Sequence, residues 1–209
     1  GQHFDSWRVV GHPMQAARIH AARQVDELIL LDISATPEGR GPDFAMIEKL
    51  SEYCRTPLTV GGGVRSVDDV RRLLRAGADK VAICTAAFED PEFIRRASRH
   101  YGSQALVIAI DVKNGRCVKR CGSYVMDTRP GPDGVAGQAQ GAEQLGAGEI
   151  LLTSIDREGT MEGYDLQLIS KGSAAVGIPT IASGGCSGYE DMRQALDAGP
   201  IGRDTLLEA

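Results

Sequence analysis

Residues 57–78 read PLTVGGGVRSVDDVRRLLRAGA. The apolar run from Pro57 to Val60 suits a strand buried on both faces, as in a parallel sheet. Gly61-Gly62-Gly63 ends it. Ser66-Val67-Asp68-Asp69 is an N-cap signature and predicts a helix running to about Ala76 and stopping at Gly77. The same order returns at residues 179–199, PTIASGGCSGYEDMRQALDAG, as strand, Ser183-Gly184-Gly185 turn and helix. A strand–turn–helix unit that recurs in related form marks an internal repeat.

The repeat extends upstream. Leu31-Asp32-Ile33 and Glu38-Gly39 precede the first unit; Ser154-Ile155-Asp156 and Glu158-Gly159-Thr160 precede the second. Further strands are expected at Glu27–Ile33, Lys80–Cys84, Leu106–Val112 and Glu149–Ile155. Further helices are expected at Pro13–Gln24, Asp43–Tyr53, Pro91–Arg99, Val135–Leu145 and Tyr164–Val176. Six strands alternating with seven helices, and no linker between them, predict one α/β domain over residues 1–209: a (β/α)8 TIM barrel of two half-barrel repeats. A closed barrel takes eight strands and about 250 residues. The first helix has no strand before it, and the chain stops shortly after Gly199, so the first and eighth strands are expected to be missing from it. An open six-stranded sheet is the alternative.

The bulk properties narrow the function. The 209 residues are 42% hydrophobic and 24% charged, with a net charge of −5 and a pI near 5.4. That balance speaks against a nucleic-acid surface. No apolar run approaches the roughly 20 residues needed to span a bilayer. The five cysteines, Cys54, Cys84, Cys117, Cys121 and Cys186, are odd in number and scattered, which reads as a reduced, cytoplasmic protein rather than a disulfide framework. Cys117 and Cys121 lack a second Cys or His pair at ligand spacing, so neither a metal nor another cofactor is expected.

Two chemistries are readable from position. Gly62 and Gly63, and Ser183, Gly184 and Gly185, each follow a strand and precede a helix, where close backbone approach and free N–H groups favour a phosphate. Two such turns imply a substrate with a phosphate at both ends. Asp32, Asp111 and Asp156 stand at strand ends, facing a barrel's active-site mouth. Asp111 follows five apolar residues, so burial favours a raised pKa and acid/base work; capping a turn is the plainer reading for Asp156. Thr85 and Thr153, also at strand ends, are candidates for binding phosphate or orienting substrate. Glu27, Lys80 and Glu149 begin strands and so belong to the opposite opening, as a stabilising salt-bridge layer or, if the barrel conducts something, as its gate.

Gly102-Ser103-Gln104, Ala109 to Lys113 and above all Gly146 to Thr160 (GAGEILLTSIDREGT) resemble the cyclase subunit of imidazole glycerol phosphate synthase. So do Asp26-Glu27-Leu28, Thr59 to Gly63, Ala76 to Val81 and Ile181 to Gly185, and the similarity runs from Gly1 to about Gly199. The resemblance implies a lyase-type cyclase of histidine biosynthesis. Ammonia from a glutaminase subunit (a class I glutamine amidotransferase) docked at the barrel bottom passes through the barrel. It reacts there with a bisphosphorylated ribulosyl-formimino carboxamide ribonucleotide, giving imidazole glycerol phosphate and an aminoimidazole carboxamide ribonucleotide. Of the family's two general acid/base aspartates, Asp111 matches the second. Glu27, Lys80 and Glu149 match gate positions. Gly63, Thr85, Glu158, Gly159, Ser183, Gly184 and Gly185 match phosphate-site positions.

The departures are Cys84, where the family usually has Asn, and Glu158, where Asp is usual. Phe4 to Gly11, including Trp7, and Arg40 to Phe44 look more like a paralogous branch that works with an amidotransferase on surface sugars. That branch, and a non-catalytic barrel that only activates a glutaminase, are the alternative functions.

Overall fold

The computed structural model describes residues 11–120, 122, 124–125 and 134–199. The strands expected before Pro13 and after Gly199, and Trp7, lie outside the described residues. In chain order the strands are β1 (Leu28–Leu31), β2 (Leu58–Gly61), β3 (Lys80–Ile83), β4 (Leu106–Lys113), β5 (Arg116–Lys119), β6 (Tyr124–Val125), β7 (Glu149–Ser154) and β8 (Thr180–Ser183). The helices are α1 (Pro13–Ala22), α2 (Phe44–Tyr53), α3 (Val67–Arg75), α4 (Thr85–Glu89), α5 (Glu92–Tyr101), α6 (Val135–Leu145), α7 (Leu166–Ser173) and α8 (Tyr189–Ala198).

Six strands pair in parallel in the order β1-β2-β3-β4-β7-β8. Helices lie between successive parallel strands, the connection parallel pairing requires. The helix starts follow from local chemistry. Ser66 and Asp69 form a capping box on α3, Asp43 accepts from Met46 N at the start of α2, and Asp165 accepts from Leu168 N at the start of α7. Each satisfies an N–H that the first turn leaves without a partner.

The strands' near-continuous apolar runs split between two layers. Leu106, Ile108, Ile110 and Val112 of β4 join the main core with Val70, Leu73, Phe93, Ile94 and Ala97 from the helices. The alternating residues Val107 and Ala109 join a second cluster with Ile29, Ala82, Leu151 and Ile181. Burying a side chain such as Ile108 stabilises by about 1.5–3 kcal/mol, and truncating it to Ala costs about 2–5 kcal/mol. A flat six-stranded sheet is about 24 Å wide, yet residues of β1, β3, β4, β7 and β8 and the turn after β2 all line one cavity. The sheet is therefore curled, with the face that carries Ala82 and Ala109 concave. This is the α/β architecture of a (β/α)8 barrel.

Among the described residues, two strands and one helix go beyond the six strands and seven helices expected. A hairpin, β5 with β6, continues antiparallel from β4. It turns at Asn114 and Gly115, both at positive φ (51° and 69°), a pair suited to a two-residue hairpin turn. The short helix α4 follows β3 directly and has no side-chain cap, which is why no N-cap signal announces it.

Candidate active site

The register of the sheet sets the site. Asp111 of β4 is paired with Thr153 of β7, and Thr153 with Ser183 of β8. All three line the concave cavity, about 290 Å³ in volume, at the C-terminal end of the strands. Asp111 is 9% exposed. Cys84, just after β3, brings its Sγ to 3.7 Å from Asp111 Oδ2, and Thr153 also donates to this carboxyl. Burial outweighs both donors and, with the charge of Glu158 adding to it, pushes the Asp111 carboxyl up to about 6. A carboxyl poised there exchanges a proton readily near neutral pH. Burial also raises Glu158, which lines the same cavity.

Asp32 stands on the opposite flank, at the end of β1. Its Oδ1 accepts from Ser34 N at 3.1 Å, Ser34 Oγ at 2.8 Å and Ala35 N at 3.0 Å. Its Oδ2 meets Arg40 Nη1 at 3.1 Å. Partial burial works against the charge, but the Ser34 and Arg40 hydrogen bonds hold Asp32 below its ordinary value. Asp32 thus stays ionised and organises its loop, a role distinct from that of Asp111.

The glycine turns are built alike. Gly62 and Gly184 have φ of 103° and 100°. A Cβ on Gly62 would lie 2.3 Å from Asp32 O, and one on Gly184 2.5 Å from Ser154 O. Only glycine permits that combination of left-handed backbone and close approach. Gly63 and Gly185 follow at φ 70° and 94°. Gly62, Gly63 and Ser183 line the cavity directly.

This geometry revises the alignment of the two halves. Gly62 rests on Asp32 and Gly184 on Ser154, so the counterpart of Asp32 is Ser154, not Asp156. The unequal spacings from Asp32 to Gly62 and from Asp156 to Gly184 arise from pairing residues two positions apart. Asp156 instead accepts from Asn114 N at 2.6 Å and holds the β4–β5 turn; it is not among the cavity-lining residues. Thr85 lines the cavity, and its Oγ1 accepts from Arg120 N at 3.1 Å. Gly159 occupies a left-handed turn position after β7, φ 72°.

At the other end of the strands, Lys80 Nζ lies 2.8 Å from Glu27 Oε2 and 2.7 Å from Glu149 Oε1. The structure therefore brings all three expected gate residues together. Partial burial opposes the Lys80 charge, but the hydrogen bonds to Glu149 and Glu27 raise its pKa overall. Thr59, on β2 between them, donates to Glu27 Oε1 at 2.6 Å. Thr59 is not among the expected site residues, although its alternation with outward-facing Leu58 and Val60 assigns it to the concave face. Glu149 Oε2 is buried with no hydrogen-bond partner among the described residues.

Comparison with known proteins identifies this architecture. The model of a family described as "Histidine biosynthesis protein" matches residues 1–203. The chain belongs to the histidine biosynthesis protein family. A member of this family from Thermobifida fusca, named imidazole glycerol phosphate synthase subunit HisF, is 45% identical over 206 residues, spanning 95% of this chain and 80% of the relative. Relatives of the same name from Dictyoglomus thermophilum and Exiguobacterium sibiricum are 43% and 42% identical. The first alignment covers 100% of this chain and 82% of the relative, the second 95% and 80%.

Proposed function

We propose that this protein is the ammonia-dependent cyclase of histidine biosynthesis. It converts a bisphosphorylated ribulosyl-formimino carboxamide ribonucleotide to imidazole glycerol phosphate and an aminoimidazole carboxamide ribonucleotide. The observation that carries this reading is the placing of Asp111, a buried carboxyl, in a cavity flanked by two glycine turns. The names of its relatives favour the cyclase over the sugar-amidating and glutaminase-activating alternatives.

In this reading the turns at Gly62-Gly63 and Ser183-Gly184-Gly185 hold the two phosphates through backbone N–H groups. Thr85, Thr153, Glu158, Gly159 and Asp32 shape the space between them. Asp111 accepts and returns the protons that ammonia addition and ring closure release and consume. Ammonia comes from a glutaminase subunit docked at the opposite opening. It enters past Glu27, Lys80 and Glu149, where the buried Glu149 Oε2 offers an acceptor. No helix among the described residues is long and apolar enough to cross a membrane.

The test is turnover by the full-length protein with the bisphosphorylated substrate and excess ammonium at alkaline pH. Loss of substrate absorbance, abolished by Asp111→Asn, is the expected result. A folded protein that binds inorganic phosphate yet leaves the substrate unchanged contradicts the proposal.

A further inference from the structure

We propose that Cys84 is a positioning residue for this reaction: its thiol, donating to Asp111 Oδ2, orients that carboxyl and governs its hold on the proton.

The chain geometry turns the thiol toward the carboxyl. Cys84 sits at the junction of β3 and α4, in the N-cap position, with φ −111° and ψ −91°. N-cap side chains ordinarily bond the first turn of the helix, but Cys84 makes no cap hydrogen bond. It lines the cavity instead, with Sγ 3.7 Å from Asp111 Oδ2.

The groups around Asp111 leave the matter to weak donors. Thr153 faces it from β7 and Glu158 from the turn beyond. Asp32 lies across the cavity, engaged with Arg40. Cys117, on β5, is a thiol that burial and then the charge of Asp111 push up to about 11, so it stays neutral. Among the described residues that line the cavity there is no lysine or arginine. Among the described residues no cation contributes to the shift of Asp111, so its carboxylate form rests on two neutral donors set against burial and a like charge. A thiol is a weak donor. It holds the carboxyl in place while stabilising the charged form only slightly, which suits a group that must regain its proton in each cycle.

This inference rests on Asp111 as the acid/base group, and the experiment separates the two claims. In the full-length protein, Cys84→Ser supplies a stronger donor, and Cys84→Val removes the donor while filling space a water would otherwise enter. For each variant, the Asp111 carboxyl is titrated by carbon NMR, and kcat/KM with ammonium is measured against pH. Cys84→Val is expected to move the Asp111 midpoint upward, on the order of half a pH unit, and Cys84→Ser to move it downward. The acid limb of the rate profile should follow in both. Neither purely structural damage nor a change in substrate affinity produces paired, opposite shifts. If the midpoint stays put in both variants, the proposal is overturned. If it moves while the rate profile does not, the Cys84–Asp111 coupling stands and the catalytic role of Asp111 fails.

Discussion

Lys80 Nζ and Glu149 Oε1 lie 2.7 Å apart at the start of their strands, and Glu27 closes the group from the other side at 2.8 Å. The lysine is 21% exposed and Glu149 only 17%, so this pair is far better shielded from solvent than the helix-surface ion pairs. The β4–β7 and β7–β8 registers pair Asp111 with Thr153 and Thr153 with Ser183 at the C-terminal ends of the strands. A carboxyl–hydroxyl row stands at that end, and the Glu27, Lys80 and Glu149 side chains meet at the other.

Removing Lys80 leaves Glu27 and Glu149 facing each other without their shared cation. Lys80→Ala is expected to lower stability by about 1–3 kcal/mol, measured by denaturant unfolding. In the complex it should reduce glutamine-dependent turnover more than ammonium-dependent turnover. Equal losses in both assays would remove the gate from the account.

Asp111→Asn separates stability from activity. The folded protein holds the Asp111 proton more tightly than the unfolded chain does, with the carboxyl rising from 3.8 to about 6. The stability that follows is complete below about pH 3.8 and is lost as the pH rises through about 6. At pH 7 the ionised carboxylate is thus a liability on the order of 2–3 kcal/mol. Asp111→Asn is expected to raise Tm at pH 7, with the advantage vanishing at pH 4, while turnover falls on the order of 100-fold. A lower Tm at pH 7 contradicts the burial argument.

Glu158 supplies the like charge that helps keep Asp111 protonated. Glu158→Gln should therefore lower the Asp111 midpoint and move the acid limb of the pH profile downward. An unmoved carbon-NMR titration of Asp111 would show that the two carboxyls do not interact.

The glycine turns make a structural prediction of their own. Gly62→Ala places a methyl 2.3 Å from Asp32 O at φ 103°, and Gly184→Ala repeats the conflict against Ser154 O. Each is expected to cost at least about 2 kcal/mol and to weaken inorganic phosphate binding, read by calorimetry and thermal unfolding. Unchanged stability and binding in both variants would sink the phosphate-turn assignment.

Much of this was legible in the residues because one pattern serves two purposes. The apolar runs that bury β2, β3, β4, β7 and β8 also carry Asp111, Thr153 and Ser183 to one rim, so locating the strands brought the candidate site residues together. Ser66 with Asp69 placed α3 for the same local reason that holds in three dimensions, a capping box. Asp156 was less legible because matching Asp with Asp is a chemical comparison, whereas the backbone contact of Gly184 is with Ser154. Asn114-Gly115 is a hairpin signal present in the sequence itself. The partnership of Cys84 with Asp111 had no sequence signal, since it depends on the side-by-side pairing of β3 with β4.

The central claim is tested most directly by following loss of the bisphosphorylated carboxamide ribonucleotide with excess ammonium, full-length protein and its Asp111→Asn variant side by side. The account predicts turnover by the parent protein, with imidazole glycerol phosphate as product, and a loss on the order of 100-fold in the variant. No turnover by a folded parent protein, or equal rates in both, would contradict it.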